Sequence, residues 1–362
     1  MILVAGARPN FMKIAPLWFE MDKSRFFFEP ILLHTGQHYD YEMSKIFFED
    51  LELPAPHYFL GVGSGTHAEQ TARIMVEFEK VLRTEIPDLI IVFGDVNSTL
   101  ACSITAKKLL VPVAHVEAGL RSFDMTMPEE INRRVTDVLS DLLFTPSRDG
   151  DGNLAQEGIR REKIFFVGNI MIDSLVKVIG RITPFEEDRL LGSFGLEKRN
   201  YVLITLHRPS NVDDPSHLRK ILNALNRLAG KISIVFPVHP RTKKNLNGFS
   251  GDFVFNKQLK MVEPLGYREF IILEKNSTFV VTDSGGIQEE TTYLGIPCLT
   301  LRPNTERPVT MKEGTNELVS LATLDKNCEA ILAGNWRRGK RPELWDGRTG
   351  PRIVEILKQM GA

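Results

Sequence analysis

The chain has 362 residues, 43% hydrophobic and 25% charged, a globular composition long enough for two domains with separate cores. Forty-five Lys and Arg against 46 Asp and Glu leave a formal charge of −1, which excludes a bulk field for nucleic acid or an anionic membrane, so phosphate recognition must be local. Cys102, Cys298 and Cys328 have no paired spacing, so neither a disulfide framework nor a zinc site is expected, and a reducing cytoplasm fits best.

In chain order, the sequence enters a strand at once with Ile2-Leu3-Val4-Ala5, without a charged n-region and h-region, and it contains no apolar run of about 18 residues. A soluble protein that is not exported is expected. Short apolar runs recur at 30–34, 89–93, 111–116, 142–145 and 164–167, and between them residues 68–82 read as an amphipathic helix through Thr71, Ile74, Met75, Phe78 and Leu82. Strands alternating with helices predict a parallel sheet wound on both faces. After Gly168-Asn169 come helical stretches at 171–182 and 185–191, then strands at 201–206, 232–237, 278–282 and 297–301. Residues 350–360 predict a last helix that crosses back to the first domain. The fold class expected is α/β, with two Rossmann-like domains facing a cleft lined by the C-terminal ends of both sets of strands. The first domain is drawn at 1–168 plus 350–362, the second at 169–349.

Most unusual polar residues follow predicted strands, the edge where open parallel sheets bind ligands. After the first strand, Gly6-Ala7-Arg8-Pro9-Asn10 makes a glycine turn from which Arg8 and Lys13 can reach a diphosphate, although an ordinary turn with surface charges has the same sequence. The next candidates are Gly94-Asp95 and His115-Val116-Glu117-Ala118-Gly119-Leu120-Arg121, two carboxylates from neighbouring strand ends. Asp95 also suits an N-cap of the helix near Asn97, whereas Glu117, after an apolar run, is expected to be partly buried, which raises a carboxyl pKa toward values useful for proton transfer. Thr126-Met127-Pro128-Glu129 has capping-box form, a structural role for Glu129. The helix it opens is expected to bury Ile131, Val135, Val138 and Leu142 and to pair Glu129 with Arg133 and Glu130 with Arg134.

In the second half, Thr205-Leu206-His207-Arg208 and His239-Pro240-Arg241 each end a strand with basic residues, and Thr305-Glu306-Arg307-Pro308 adds a polar loop. The strand at 278–282 runs into Asp283-Ser284-Gly285-Gly286-Ile287-Gln288-Glu289-Glu290, a turn opening a helix. Ser284, Gly285 and Gly286 let backbone N–H groups approach an anion, and the helix N-terminus adds roughly 0.3–1 kcal/mol. Glu290 is placed to accept hydrogen bonds from sugar hydroxyls. Gly61-Val62-Gly63-Ser64-Gly65 lacks the full dinucleotide fingerprint and reads as a loop. His34 and His38 have metal-like spacing without supporting ligands, so no metal is expected.

Together, Gly6-Ala7-Arg8-Pro9, Gln37-His38, Gly94-Asp95, residues 115–121, Pro128-Glu129-Glu130-Ile131-Asn132-Arg133, His207-Arg208 and residues 282–290 closely resemble the non-hydrolysing UDP-N-acetylglucosamine 2-epimerases, from Gly6 to about Val319. That resemblance implies a GT-B-like pair of Rossmann domains and reversible inversion at C2 of a UDP-linked N-acetylated sugar, through elimination of UDP to a 2-acetamidoglucal and re-addition. It implies no nicotinamide, no metal and no other cofactor, with a UDP-sugar as partner and a homodimer as the assembly. Asp95, Glu117 and Glu129 become the acid and base candidates, overriding the capping role of Glu129. His207 and Arg8 would hold the leaving diphosphate, Ser284, Gly285 and Gly286 would cradle it, Glu290 would grip the ribose, Phe270 would lie near uracil, and Lys13 and Arg307 match basic positions.

Two departures bear on substrate choice. Ser210 stands where many relatives carry Glu, and residues 122–127 are a shorter approach to Pro128-Glu129 than in some members. A second, activating substrate site near Gln37, His38 and Arg208 occurs in some members; Tyr39 and Asp40 differ from the arginine-containing version of that loop, so weak or absent activation is expected. The alternatives within this reading are a 2-epimerase of UDP-2,3-diacetamido-2,3-dideoxyglucuronate and a GT-B glycosyltransferase, and outside it a nucleotide-sugar sensor.

Overall fold

Short apolar runs with water on neither face become parallel strands, and this chain builds the interior of two sheets from them. The structure, a computed structural model, describes residues 1–37, 51–246 and 253–361, with the Arg8 side chain excepted. The chain forms two compact units, Met1–Ser174 with Glu343–Ala362, and Leu175–Pro342.

In the first unit, β1 (Ile2–Ala5), β2 (Ile31–His34), β3 (Tyr58–Phe59), β4 (Ile90–Phe93), β5 (Val113–Val116), β6 (Leu142–Thr145) and β7 (Ile164–Phe166) make a seven-stranded sheet in the order β3-β2-β1-β4-β5-β6-β7. The helices are α1 (Arg8–Asp22), α2 (His67–Glu85), α3 (Asn97–Lys108), α4 (Pro128–Leu139), α5 (Arg148–Gln156) and α6 (Ile170–Ile179), the last running on into the second unit. Ile2, Val4, Ile90, Val92 and Val113 of the sheet pack on Ile74, Phe78 and Leu82 of α2 and on Ala101, Cys102 and Ala106 of α3. Strand order reverses between β1 and β4, where Ile2 pairs with Ile90 and Leu3 with Ile91. Such a reversal opens a crevice outside the strands' carboxyl ends.

The second unit repeats the plan. Helices α7 (Pro184–Ser193), α8 (Pro209–Val212), α9 (Pro215–Ala229), α10 (Pro240–Leu246), α11 (Tyr267–Asn276), α12 (Gly285–Leu294), α13 (Pro308–Lys312) and α14 (Leu321–Leu332) surround β8 (Tyr201–Thr205), β9 (Ser233–Pro237), β10 (Leu259–Val262), β11 (Phe279–Thr282), β12 (Cys298–Thr300) and β13 (Asn316–Leu318). The sheet order is β10-β9-β8-β11-β12-β13, all parallel, and reverses between β8 and β11. Leu218, Ile221, Leu222 and Leu225 of α9 and Leu324, Cys328 and Ile331 of α14 cover one face through Val202, Ile204, Phe236 and Val281.

The last helix, α15 (Thr349–Gln359), lies in the first unit against α1. A Cβ on Gly350 would sit 3.2 Å from the Pro16 carbonyl oxygen, a tight contact that glycine spares. Asp173 of α6 accepts the N–H groups of Thr349 at 3.1 Å and Gly350 at 2.8 Å, capping α15 from another helix. Burial pushes its carboxyl up to about 6 despite those hydrogen bonds, which favour the charge.

Three strands are absent from the sequence expectation: β3, β10 and β13. Each is short or half-exposed at a sheet edge, so none shows a long apolar run. The helix α4 reverses the expected face. Glu130, Asn132, Arg133, Thr136 and Asp137 are its buried residues, whereas Ile131 is 44% and Val138 62% exposed. Buried charge is tolerable only when paired, and the partners lie at the ends of β4 and β5. The three cysteines are buried, and burial pushes Cys298 and Cys328 up to about 12. Among the described residues no helix is long and apolar enough to cross a membrane.

Candidate active site

In the first unit, β1 ends in a turn at Gly6. A Cβ there would fall 2.5 Å from the Ser98 side chain, so only glycine fits. Asn10 holds the turn, its Oδ1 accepting the N–H groups of Gly6 at 3.0 Å and Ala7 at 2.8 Å while its Nδ2 donates to the Phe93 carbonyl at 3.0 Å. The β1 and β4 ends are thereby joined at the topological switch point. Arg8 opens α1, and its side chain lies outside the described residues, as does His38.

Gly94 leaves β4 with φ +65°, and Asp95 follows. The N-cap of α3 is Val96, with no side-chain cap hydrogen bond, and not Asp95. Its Oδ2 instead accepts from Arg133 Nη2 at 2.6 Å, and its carbonyl accepts from Asn132 Nδ2 at 2.9 Å. On the next strand, Glu117 is 4% exposed and adopts φ +72°. That left-handed conformation is costly for a residue with a Cβ and points to a functional constraint. Lys13 donates to Glu117 Oε2, so the basic candidate of α1 and the acidic candidate of β5 form one buried ion pair.

Glu129 is exposed on the first turn of α4, and the capping box does not form: the N-cap is Met127, without a side-chain cap hydrogen bond, and Thr126 donates to Asp124 Oδ1 at 2.6 Å. Pro128 at N1 moves the helix start past Thr126. The neighbouring Glu130 is fully buried, accepting the Ser122 N–H at 2.8 Å and Arg133 Nη1 at 2.8 Å, with Arg134 at 3.5 Å as the i,i+4 spacing predicts. Gln37 is buried, its Oε1 accepting the Ser98 hydroxyl at 2.8 Å.

In the second unit, the switch point lies between the β8 end, which leads to His207 and Arg208, and the β11 end, which leads to Asp283 and Ser284. Asp283, fully buried and given no role by the sequence reading, joins the two: it accepts the backbone N–H of His207 at 3.1 Å and of Arg208 at 2.9 Å, Asn211 Nδ2 at 3.1 Å, and lies 3.0 Å from His207 Nδ1. Burial works against its charge, yet His207, Asn211 and the Arg208 N–H together hold its carboxyl below the ordinary range. Arg208 Nε donates to the Asp283 carbonyl at 3.0 Å. The only sequence signal was an acidic residue directly after a buried strand.

Ser284 is the N-cap of α12 without a side-chain cap bond, and Gly285 and Gly286 form its first turn, half-buried. This leaves the first N–H groups of α12 facing the loop, the arrangement that receives anions. Arg307 packs on that turn so closely that a Cβ on Gly285 would sit 2.6 Å from its Nη1. Its guanidinium also bonds Glu289 Oε1 at 2.7 Å and Glu306. Glu290, 4% exposed, accepts the Tyr267 hydroxyl at 2.7 Å. Burial pushes its carboxyl up to about 7, with Glu289 adding and the Tyr267 bond opposing. Phe270 is half-buried on α11, one turn from Tyr267.

The comparisons with known proteins bear on this geometry. The family model for UDP-N-acetylglucosamine 2-epimerase matches residues 20–358. A UDP-N-acetylglucosamine 2-epimerase of Methanocaldococcus jannaschii is 44% identical over 361 residues, covering 98% of each chain. The UDP-2,3-diacetamido-2,3-dideoxy-D-glucuronate 2-epimerase of Pseudomonas aeruginosa is 42% identical over 325 residues, 89% of this chain and 88% of that protein. The crystal structure of the M. jannaschii UDP-GlcNAc 2-epimerase in complex with UDP-GlcNAc and UDP superposes with a TM-score of 0.89 at 43% identity, over 99% of each chain.

Proposed function

Because the chain belongs to the UDP-N-acetylglucosamine 2-epimerase family, we propose that it interconverts UDP-N-acetylglucosamine and UDP-N-acetylmannosamine by elimination of UDP and re-addition. The observation that carries the chemistry is the pair of carboxylates, Asp95 and Glu117, on neighbouring strand ends of the first unit, the former at the switch point and the latter in a left-handed conformation.

The C2 hydrogen of a sugar is barely acidic, so its removal needs a positioned base, which typically contributes about 10²–10⁴-fold. In the forward direction a carboxylate among Asp95, Glu117 and Glu129 takes the C2 proton, the C1–O bond breaks with departure of UDP, and a 2-acetamidoglucal forms. In the return step the UDP oxygen bonds C1 and a protonated carboxyl delivers a proton to the other face of C2. Charge grows on the diphosphate as it leaves. Arg8, the N-terminus of α12 at Ser284, Gly285 and Gly286, and His207 oriented by Asp283 stabilise that charge more in the transition state than in the ground state. Lys13 serves Glu117, and Arg307 shapes the Gly285 turn. Glu290 receives the ribose hydroxyls, and Phe270 borders the uracil. In this reading the first unit carries proton transfer and the second holds the nucleotide.

Incubation with UDP-N-acetylglucosamine in D₂O, followed at C2 by NMR, is expected to show deuterium entering with a new manno signal. Free N-acetylmannosamine plus UDP would overturn the non-hydrolysing reaction. Asp95→Asn is expected to retain UDP binding and lose at least about 100-fold in turnover. The 42% identical relative favours one second reading, the diacetamido-glucuronate substrate, and faster turnover of that sugar in the same assay would establish it. The homodimer and cytoplasmic location implied by the resemblance belong to the proposal as well. Exposed Ile131 and Val138 support self-association, and light scattering giving one chain's mass would reject it.

A further inference from the structure

A residue outside the proposed proton-transfer set connects its parts. His115 of β5 is fully buried, and both ring nitrogens face acceptors: Nδ1 lies 2.6 Å from Asp137 Oδ1 and Nε2 lies 2.8 Å from the Gly94 carbonyl oxygen. The two contacts, one on each ring nitrogen, fix the orientation of the imidazole between Asp137 and Gly94. Asp137 is anchored in turn, its Oδ2 accepting the Gly119 N–H at 3.1 Å and Arg121 Nη1 at 2.7 Å. Burial opposes its charge, and His115 with Arg121 holds its carboxyl below the ordinary range.

The position of this bridge gives it meaning. The Gly94 carbonyl belongs to the peptide unit that carries the nitrogen and Cα of Asp95, so fixing that oxygen fixes the plane from which the Asp95 side chain departs. Gly94, at φ +65° and without a Cβ, does little to restrict the plane itself. Its N–H is held by the Val116 carbonyl at 3.1 Å, so β5 grips both ends of this glycine. Glu117 sits between the two points, His115 and Gly119, at which Asp137 holds β5 and its loop. Asp137 rides on α4, whose Arg133 bonds the Asp95 carboxylate at 2.6 Å and whose first turn carries Glu129.

We infer that His115, braced by Asp137, is a positioning residue that sets the direction of Asp95 by holding the Gly94–Asp95 peptide. The inference rests on the reading of Asp95 as a proton-transfer group. It predicts an effect on chemistry and little on substrate binding, since a displacement of about 1 Å at the reacting group costs on the order of 10²-fold.

The test is a double-mutant cycle of His115→Asn with Asp95→Asn, on the full chain, with C2 deuterium exchange and UDP affinity as readouts. Asparagine reaches Asp137 but not Gly94. The expected result is a loss in kcat of about 10- to 100-fold for His115→Asn, with KM and UDP affinity within about twofold. In the Asp95→Asn background the same change should cost less than about twofold, because the group it positions is already disabled. A purely structural role would subtract the same factor in both backgrounds, and that outcome, or an unchanged kcat, overturns the inference. Should His115→Asn not accumulate folded, Asp137→Asn weakens the same brace with near-identical shape and enters the same cycle. Full turnover by Asp95→Asn alone would instead overturn the assignment of Asp95, which separates failure of the functional reading from failure of this one.

Discussion

Glu117 shows what one residue can store. Its φ of +72° costs it a conformational penalty that glycine would avoid, and its buried carboxylate is charge-matched by Lys13. Removing one partner of a buried pair strands the other, so Lys13→Met is expected to destabilise the protein by about 3 kcal/mol, with Lys13→Met/Glu117→Gln recovering most of it in urea unfolding. Equal losses in the single and double variants would show that an uncompensated Glu117 charge is not the source of the loss. The expectation of a partly buried glutamate came from the apolar run before it. Its lysine partner was not legible, because 104 residues separate the two. Glu290 supplies a pH dependence. Its carboxyl is raised from the ordinary 4.5 to about 7, so protonation favours the folded state: its stability contribution is full below about 4.5 and lost as pH rises through about 7. Ribose hydroxyls are better accepted by the carboxylate, so UDP affinity measured by calorimetry is expected to gain more, or lose less, from pH 6 to 8 in the wild type than in Glu290→Gln. The same pH dependence in the wild type and in Glu290→Gln would remove Glu290 from the ribose contact.

Among the elements, α4 diverges furthest from its sequence. Helical periodicity places Ile131, Val135 and Val138 on one stripe, and an apolar stripe ordinarily faces a core. Here the inward face carries Glu130, Arg133 and Asp137, because the ends of β4 and β5 offer Asp95, the Ser122 and Gly119 N–H groups, and His115 as partners. Those partners come from strands whose adjacency no local pattern reveals, so the inversion was not legible. The same limit applies to Asp283, which gathers two strand ends of the second unit. The helix α15 was legible, and its cap was not: Asp173 lies 176 residues from Thr349. Asp173 is raised from 3.8 to about 6, so folding is favoured by its protonation, and the contribution it makes below about pH 4 is lost by about pH 6. Asp173→Asn is therefore expected to flatten the decline in Tm between pH 4 and 6. An unchanged pH profile would assign that decline to other carboxyls.

At the scale of the molecule, both sheets follow one winding, with the strand order reversing between β1 and β4 and again between β8 and β11. Residues singled out for chemistry stand at both reversals: Gly6 and Asp95 in the first unit, His207 and Ser284 in the second. With the nucleotide assigned to the second unit, saturating UDP is expected to protect backbone amides at 207–208 and 283–288 from hydrogen exchange, and protection confined to the first unit would reverse the assignment. The sequence by itself determined the class of fold, the alternation of strands with helices, and the polar residues that leave the strand ends, because burial and periodicity are written locally in residue type and spacing. Only the tertiary structure decided who pairs with whom: Lys13 with Glu117, Arg133 with Asp95, His115 with Gly94 and Asp137, Asp283 with the His207 loop. A polar side chain's state depends on the partners that neighbouring strands and helices bring to it, and those neighbours are distant in the chain.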